Sequence, residues 1–102
     1  MKKENWNESN IPDQSGKVFV VTGTTSGLGE ETARVLSRKN ATVIMAARNI
    51  DKAESVANEI HAENKNAKID IEELDLTSLE SISSFSQSIT KKYKTLDCLI
   101  NN

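Results

Sequence analysis

Cysteine, histidine and proline each occur once among the 102 residues. The one cysteine, Cys98, has no partner for an intramolecular disulfide, and its apolar surroundings, "LDCLI", predict a small buried residue and not a reactive thiol. The one histidine, His61, has no second histidine or cysteine with which to complete a metal site, so we predict a surface helix position and no metal. An apolar run of about 18 residues, which a membrane-spanning helix requires, is missing as well.

Neither sign of charge is in large excess, since 13 basic and 15 acidic side chains give a net charge of -2. This balance attracts neither nucleic acid nor an anionic membrane, so we expect no nucleic-acid partner. The one basic cluster, "KKYK" at residues 91–94, follows a helical pattern and is interpreted as a solvated helix end. Residues 1–10 lack the apolar segment of a secretory signal, so we expect a cytoplasmic protein.

Glycine is also scarce, and three of the 4 glycines lie in the stretch "VVTGTTSGLGEETARVL". Beyond Gly29 neither glycine nor proline interrupts the chain, and apolar β-type runs alternate with segments of helical periodicity. The β-type runs cover residues 17–22, 41–47, 68–74 and 96–100. Strands that alternate with helices predict an α/β fold with a parallel sheet and right-handed crossovers. We therefore predict a βαβαβαβ half of a Rossmann-type doubly wound sheet, with strand order 3-2-1-4.

Local signals predict where the helices begin and end. Asn40 and Asn64 are expected to close the first two helices, because asparagine tolerates the left-handed conformation that helix ends often need. The sequence "TSLE" at residues 77–80 predicts a capping box in which Thr77 caps the third helix. The third β-type run, "KIDIEEL", alternates apolar and charged residues, which is typical of a strand near the edge of a sheet.

The glycine-rich stretch lies between the first predicted strand and the first predicted helix, an arrangement that binds phosphate. A helix N-terminus presents unpaired N–H groups, glycines let a pyrophosphate approach the backbone, and the hydroxyls of Thr24, Thr25 and Ser26 provide further donors. The chain has no G-K-[ST] sequence, which excludes a P-loop, and the spacing G-x-x-x-G-x-G differs from the usual G-x-G-x-x-G fingerprint. A tight turn without any ligand is the alternative.

Four motifs in register resemble the short-chain dehydrogenase/reductase family. They are "TGTTSGLG", "AAR" at residues 46–48, "LDL" at 74–76 and "LINN" at 99–102. The opening "IPDQSGKVFVVTG" is similar to retinol-dehydrogenase-like members, so that the resemblance extends over residues 11–102. The polar composition of residues 1–16 separately predicts an irregular arm, with Trp6 or Ile11 against the domain. The resemblance implies a dinucleotide-binding domain over residues 17–102 that is incomplete at its C-terminal end.

The resemblance also implies roles for individual residues. In the glycine turn, Gly23, Gly27 and Gly29 would shape the backbone, with Thr25, Ser26, Gly27 and Leu28 near the pyrophosphate. After the third strand, Asp75 would accept a hydrogen bond from the adenine amino group and the backbone of Leu76 would contact the ring. On the fourth strand, Asn101 would tie the sheet together and Asn102 would lie near the cofactor ribose. In the alternative interpretation, Asp75 merely precedes the third helix.

The end of the second strand predicts which cofactor fits. An Asp or Glu at this place binds the ribose 2′-OH of NAD, whereas a carboxylate repels the 2′-phosphate of NADP. Here the place holds Ala47, and the guanidinium of Arg48, which follows at once, can pair with a phosphate. Asn49 either adds a donor or caps the next helix. We predict NADP rather than NAD, and the alternative for Arg48 is a solvated loop cation.

The resemblance implies hydride transfer between NADP(H) and an alcohol or carbonyl substrate, in a homo-oligomer when full length. The family's catalytic tyrosine, lysine, serine and further asparagine lie beyond N-N-A-G, and the sequence given ends inside that motif. Tyr93 has Asp97 four residues later, so it is not part of a Y-x-x-x-K, and we assign no catalytic residue and expect these residues alone to be inactive. A non-catalytic nucleotide sensor is the main alternative. A Rossmann-like methyltransferase is another, although its second strand usually ends on an acidic residue.

Overall fold

The structure is a computed structural model that describes residues 11–23, 27–93 and 96–100. Strands and helices alternate in the order that the sequence predicts. The elements are β1 Val18–Thr22, α1 Gly27–Arg38, β2 Thr42–Ala47, α2 Ile50–Glu63, β3 Lys68–Glu73, α3 Leu79–Lys92 and β4 Cys98–Ile100. The strands form one parallel sheet with the order β3-β2-β1-β4, which confirms the predicted α/β class and topology.

The two faces of the sheet are covered by different helices. Because side chains alternate along a strand, neighbouring residues of β1 and β2 enter two separate apolar clusters. On one face, Val21 and Met45 pack with α1 and α2. On the other face, Val20 and Ile44 pack with Ile89 of α3. Strands β1 and β2 are therefore buried on both faces, whereas β3 lies at the edge of the sheet, as its alternating sequence predicts.

Asparagine closes α1 as predicted, but it closes α2 differently. Asn40 has a φ of 72°, and the N–H groups of Asn40 and Ala41 donate to the carbonyls of Ser37 and Leu36. This is a Schellman ending. Asn64 ends α2 with a φ of -141°, so the left-handed conformation expected there is wrong. The Asn64 side chain instead makes one local and one long-range hydrogen bond, since its Oδ1 accepts from the N–H of Asn66 and its Nδ2 donates to the Ser37 carbonyl at the end of α1.

Helix α3 begins one residue later than the predicted capping box. Ser78 is its N-cap, and the Ser78 Oγ accepts the N–H of Ser81 at 3.1 Å. Thr77 does not cap the helix, because its hydroxyl and its N–H both donate to the carboxylate of Asp75. Thr77 and Ser78 are adjacent and both carry a hydroxyl. Because the Thr77 hydroxyl is bonded to Asp75, Ser78 caps the helix.

Strand β4 is short, and among the described residues its one neighbour in the sheet is β1. The N–H of Asp97 donates to the Val18 carbonyl at 2.9 Å, and the Val18 N–H donates to the Asp97 Oδ2 at 2.8 Å. Cys98 is exposed and Leu99 is 58% exposed, so the prediction of a buried cysteine is wrong. Both side chains are exposed because no described strand or helix lies beyond β4.

The segment before β1 contacts the turn between α1 and β2. The Asn40 Nδ2 donates to the Asp13 Oδ1 at 2.6 Å, and the backbone N–H of Gln14 donates to the Lys39 carbonyl at 2.7 Å. Gln14 is buried there, whereas Ile11 is half-buried and Trp6 lies outside the described residues. None of the described helices is long and apolar enough to cross a membrane.

The end of α3 is held against the edge strand β3 by polar contacts. The Tyr93 hydroxyl donates to the Asp70 Oδ2 at 2.9 Å, and the Lys92 Nζ lies 2.6 Å from the Glu72 Oε2. Residues 91–93 of the "KKYK" segment thus form a helix end, as predicted, although Lys92 pairs with carboxylates of β3. His61 on α2 is half-buried rather than fully solvated, and its Nε2 lies 3.1 Å from the Ala67 carbonyl oxygen.

We expect the single tyrosine to titrate well above its ordinary range. Burial, together with the hydrogen bond and negative charge of Asp70, raises the pKa of Tyr93 from 10.0 to about 12. A raised folded-state pKa means that this contribution to stability is complete below pH 10 and is lost as the pH rises toward 12. Ultraviolet absorbance of tyrosinate measures the titration directly, with the urea-unfolded chain as reference and Asp70→Asn as the variant that lowers the midpoint. A folded-state midpoint near 10 would contradict the expectation.

Candidate functional site

A cleft of about 450 Å³ opens where β1, β2 and β3 end. Parallel strands all end at the same edge of the sheet, so the segments that follow them meet there. The cleft is lined by Thr22, Gly23, Ala46, Ala47, Arg48, Asn49, Lys52, Leu74, Asp75, Leu76 and Thr77. It therefore brings together four of the residues singled out in the sequence, namely Gly23, Arg48, Asp75 and Leu76.

The glycine turn meets this cleft at Gly23, which follows β1. Gly23 has a φ of 66°, which side-chain-bearing residues rarely adopt. A Cβ placed on Gly27 would meet no atom within 4 Å, so packing does not require glycine at the start of α1. Leu28 is 70% exposed and Gly29 is buried. Thr25, Ser26, Asn101 and Asn102 lie outside the described residues.

Positive charge lies at the end of β2. Ala47 is buried and uncharged, whereas Arg48 is exposed and lines the cleft. Asn49 is the N-cap of α2, with its Oδ1 accepting the N–H of Lys52 at 3.1 Å. Of the two roles open to Asn49 in the sequence, the structure thus shows the cap.

Lys52 is a lining residue that the sequence reasoning missed. It stands in the first turn of α2, four residues after Arg48, and lines the same cleft. Within residues 11–23, 27–93 and 96–100, neither Arg48 nor Lys52 forms a salt bridge. A helix N-terminus disfavours cations, so a lysine in this first turn was a signal in the sequence that an anion could be bound nearby.

Negative charge lies at the end of β3. The Asp75 Oδ1 accepts the Thr77 hydroxyl at 2.6 Å and the Thr77 N–H at 3.0 Å. The hydrogen bonds from Thr77, reinforced by the positive charge of Arg48, lower the pKa of Asp75 below its ordinary value of 3.8. Asp75 is therefore an anionic hydrogen-bond acceptor at neutral pH.

The cleft thus combines two chemically different kinds of group. Arg48 and Lys52 present positive charge that suits an anion such as a phosphate. Asp75 presents an acceptor beside Leu76, whose side chain is 61% exposed. Such a cleft can bind a molecule that carries both a phosphate and a flat ring with an amino group. In the part of the chain that the structure describes, no group of three or more His, Cys, Asp or Glu residues could hold a metal ion.

Comparison with known sequences identifies close relatives. Residues 17–102 match the family model described as short chain dehydrogenase. Retinol dehydrogenase 12 of Bos taurus is 45% identical over 87 residues, which cover 85% of this chain and 28% of that protein. The chain thus spans less than a third of the length of this relative.

Solved structures share the fold over most of the chain. A short chain dehydrogenase from Shigella flexneri, complexed with NADP, is 32% identical, with a TM-score of 0.79 over 88% of this chain and 38% of that one. A short chain dehydrogenase from Escherichia coli, complexed with NADPH, is also 32% identical, with a TM-score of 0.80 over 88% of this chain and 38% of that one.

Proposed function

Because the chain belongs to the short-chain dehydrogenase family, we propose that its cleft binds NADP(H) and that the complete protein transfers a hydride between this cofactor and an alcohol or carbonyl compound. The observation that carries the proposal is the pair of cations, Arg48 and Lys52, beside the uncharged Ala47 at the end of β2. An aspartate or glutamate would be expected at this place in an NAD-specific site. Two relatives of known structure are complexes with NADP and with NADPH, which supports NADP(H) as the cofactor.

The proposal assigns each part of the cofactor to residues of the cleft and of the glycine turn. Arg48 and Lys52 would hold the 2′-phosphate, and Asp75 with Leu76 would hold the adenine. The start of α1 offers N–H groups to the pyrophosphate, and the open space at Gly27 lets a phosphate approach. The family resemblance completes the proposed cofactor-binding set with Gly23, Thr25, Ser26, Leu28, Gly29 and Asn102. When bound, the nicotinamide would give or accept the hydride.

The complete protein would also supply the parts of the enzyme that residues 1–102 do not contain. We propose that these residues alone transfer no hydride, because the family's tyrosine and lysine follow the N-N-A-G motif. A Y-x-x-x-K sequence after Asn102 would support the enzyme over a non-catalytic nucleotide sensor. A cytoplasmic location and assembly as a homo-oligomer are further parts of the proposal, and both rest on the resemblance and the sequence.

Calorimetry with three ligands tests the proposed cofactor. We expect NADPH to bind, NADH to bind at least about tenfold more weakly because it lacks the charge-assisted phosphate contacts, and S-adenosylmethionine to give no heat of binding. Tight binding of S-adenosylmethionine without NADPH binding would favour a methyltransferase. Equal binding of NADPH and NADH would leave the family intact and contradict the cofactor choice.

A pair of glycine variants distinguishes an effect on cofactor affinity from an effect on stability. We expect Gly27→Ala to leave the free energy of unfolding unchanged or to raise it by up to about 1 kcal/mol, because alanine favours a helix more than glycine does. Its methyl group would occupy space that the phosphate needs, so NADPH affinity should fall about tenfold with the loss of those contacts.

Gly16→Ala is the matched control for Gly27→Ala. Gly16 has a φ of 82°, open space around its Cβ position and no place in the cleft. Alanine there should cost about 1 kcal/mol of stability, since the left-handed conformation strains a residue with a Cβ. The affinity for NADPH should not change. Urea denaturation and calorimetry measure the two quantities, and equal affinity losses in both variants would contradict a phosphate contact at Gly27.

A further inference from the structure

We propose that Thr77 is a positioning residue that orients the carboxylate of Asp75 toward the adenine amino group. The inference rests on the proposed binding of an adenine dinucleotide in the cleft. It begins from a contact that the sequence did not predict, since Thr77 was expected to cap α3. Ser78 caps that helix, so the hydroxyl of Thr77 has a different partner, which is Asp75.

Both hydrogen bonds from Thr77 end on the same oxygen of Asp75. The hydroxyl donates at 2.6 Å and the backbone N–H donates at 3.0 Å, each to Oδ1. Among the described residues, none donates a hydrogen bond to the Asp75 Oδ2. With Oδ1 held in this way, Oδ2 is the atom left to accept from a ligand in the cleft that Asp75 lines.

The backbone of Asp75 is fixed independently of its side chain. The N–H of Asp75 donates to the Ser81 Oγ at 2.9 Å, and the Ser81 N–H donates to the Ser78 Oγ at 3.1 Å. On the other side, the N–H of Leu74 donates to the Ala47 carbonyl at 2.9 Å. The backbone at residues 74 and 75 is therefore tied both to β2 and to the first turn of α3.

With the backbone fixed, the remaining freedom of Asp75 is rotation of its carboxylate. The final torsion of an aspartate is broad, and Asp75 is only half-buried, so packing does not set it. The Thr77 hydroxyl restricts this rotation from an exposed position where it has no part in the apolar clusters. Removal of the hydroxyl should thus leave the fold intact and make the orientation of Oδ2 less well defined.

A cofactor analogue without the amino group reports on this orientation. In the purine analogue of NADP, hydrogen replaces the adenine amino group, while ring N1, the phosphates and the nicotinamide stay the same. The complete protein should bind NADP at least about tenfold more tightly than this analogue, since the analogue cannot donate a hydrogen bond to the Asp75 carboxylate. The ratio of the two dissociation constants is the quantity to measure.

We expect Thr77→Val to lower this ratio about threefold or more, because the N–H of residue 77 still donates and only the hydroxyl is lost. Thr77→Ser, which keeps the hydroxyl, should preserve the ratio, and Thr77→Ala is a second variant without it. Thr90→Val is the matched control, since the Thr90 hydroxyl donates to the Ser86 carbonyl at 2.8 Å on the exposed side of α3. That variant should bind both ligands as the unchanged protein does.

The ratio distinguishes failure of this inference from failure of the adenine site. A ratio near one in the unchanged protein would overturn both the placement of adenine at Asp75 and the role of Thr77. A high ratio that persists in Thr77→Val and Thr77→Ala would overturn the role of Thr77 alone. If the Thr77 variants bind both ligands more weakly by the same factor, the ratio stays high. The hydroxyl would then have only a structural role, and that outcome counts against the inference.

Discussion

Replacement of Ala47 by aspartate together with Arg48 by alanine should reverse the cofactor preference from NADP to NAD. The new carboxylate can accept from the ribose 2′-OH of NAD and repels the 2′-phosphate of NADP. The lost guanidinium removes a charge-assisted contact worth roughly 1.5 to 3 kcal/mol, which corresponds to a preference on the order of ten- to hundredfold. Ala47 ends β2 and Arg48 follows it into the cleft, so both changes fall at one point of the site.

Calorimetry of both cofactors, before and after the double change in the complete protein, measures the reversal. Lys52 stays in place, so any NADP affinity that persists in the variant should fall further with Lys52→Ala. Lys65→Ala removes an exposed cation in the turn between α2 and β3, away from the cleft, and should change neither affinity. Equal affinities for NADP and NAD in the starting protein would defeat the assignment, as would an unchanged preference in the double variant.

Ile44→Ala should cost the chain about 2 to 5 kcal/mol of its free energy of unfolding. Ile44 is 0% exposed at the centre of β2, where it pairs with Val20 on one side and Asp70 on the other. Truncation leaves a cavity beneath α3, and neighbouring strands cannot collapse into it without breaking their hydrogen bonds. Since domains of this kind have total stabilities of about 5 to 15 kcal/mol, the variant should lose a large fraction of its folded population at 37 °C.

Ile82→Ala provides the control with the same change of side chain. Ile82 is 36% exposed on α3, and alanine is a better helix former than isoleucine, so the two effects should nearly cancel within about 1 kcal/mol. Urea denaturation followed by circular dichroism gives both free energies. If Ile44→Ala lowers the free energy of unfolding no more than Ile82→Ala does, the Ile44 side chain does not contribute to the core as we expect.

The sequence predicts the order of elements well because local patterns determine it. The run "ATVIMAA" is too apolar for any place but the middle of the sheet, and β2 lies there. The alternation in "KIDIEEL" places charged residues at the edge, where β3 lies. Such signals depend on each segment alone. The exposure of Cys98 could not be predicted in the same way, because it depends on what lies beyond β4.

The candidate cleft was predictable in part. Arg48 and Asp75 were identified from their places after strands, and the fold brings them together. Lys52 was missed although a cation in the first turn of a helix was a signal, because its place in the same cleft as residue 48 becomes visible only with the turn of α2 capped by Asn49. The sequence alone also could not predict which of Thr77 and Ser78 caps α3. Two adjacent hydroxyls are equivalent until the position of the Asp75 carboxylate is known.

The contacts between β1 and β4 bear on the order in which the chain folds. Val18 and Asp97 exchange two hydrogen bonds across a separation of 79 residues, whereas the pairs β1–β2 and β2–β3 join segments that are much nearer in sequence. Closing a long loop is slow relative to closing a short one. During synthesis, β1, β2 and β3 can therefore pair before β4 is available, and one edge of β1 stays unpaired until β4 is added. The cleft at the ends of β1, β2 and β3 would then form before the sheet is extended, so a bound dinucleotide could stabilise the nascent chain.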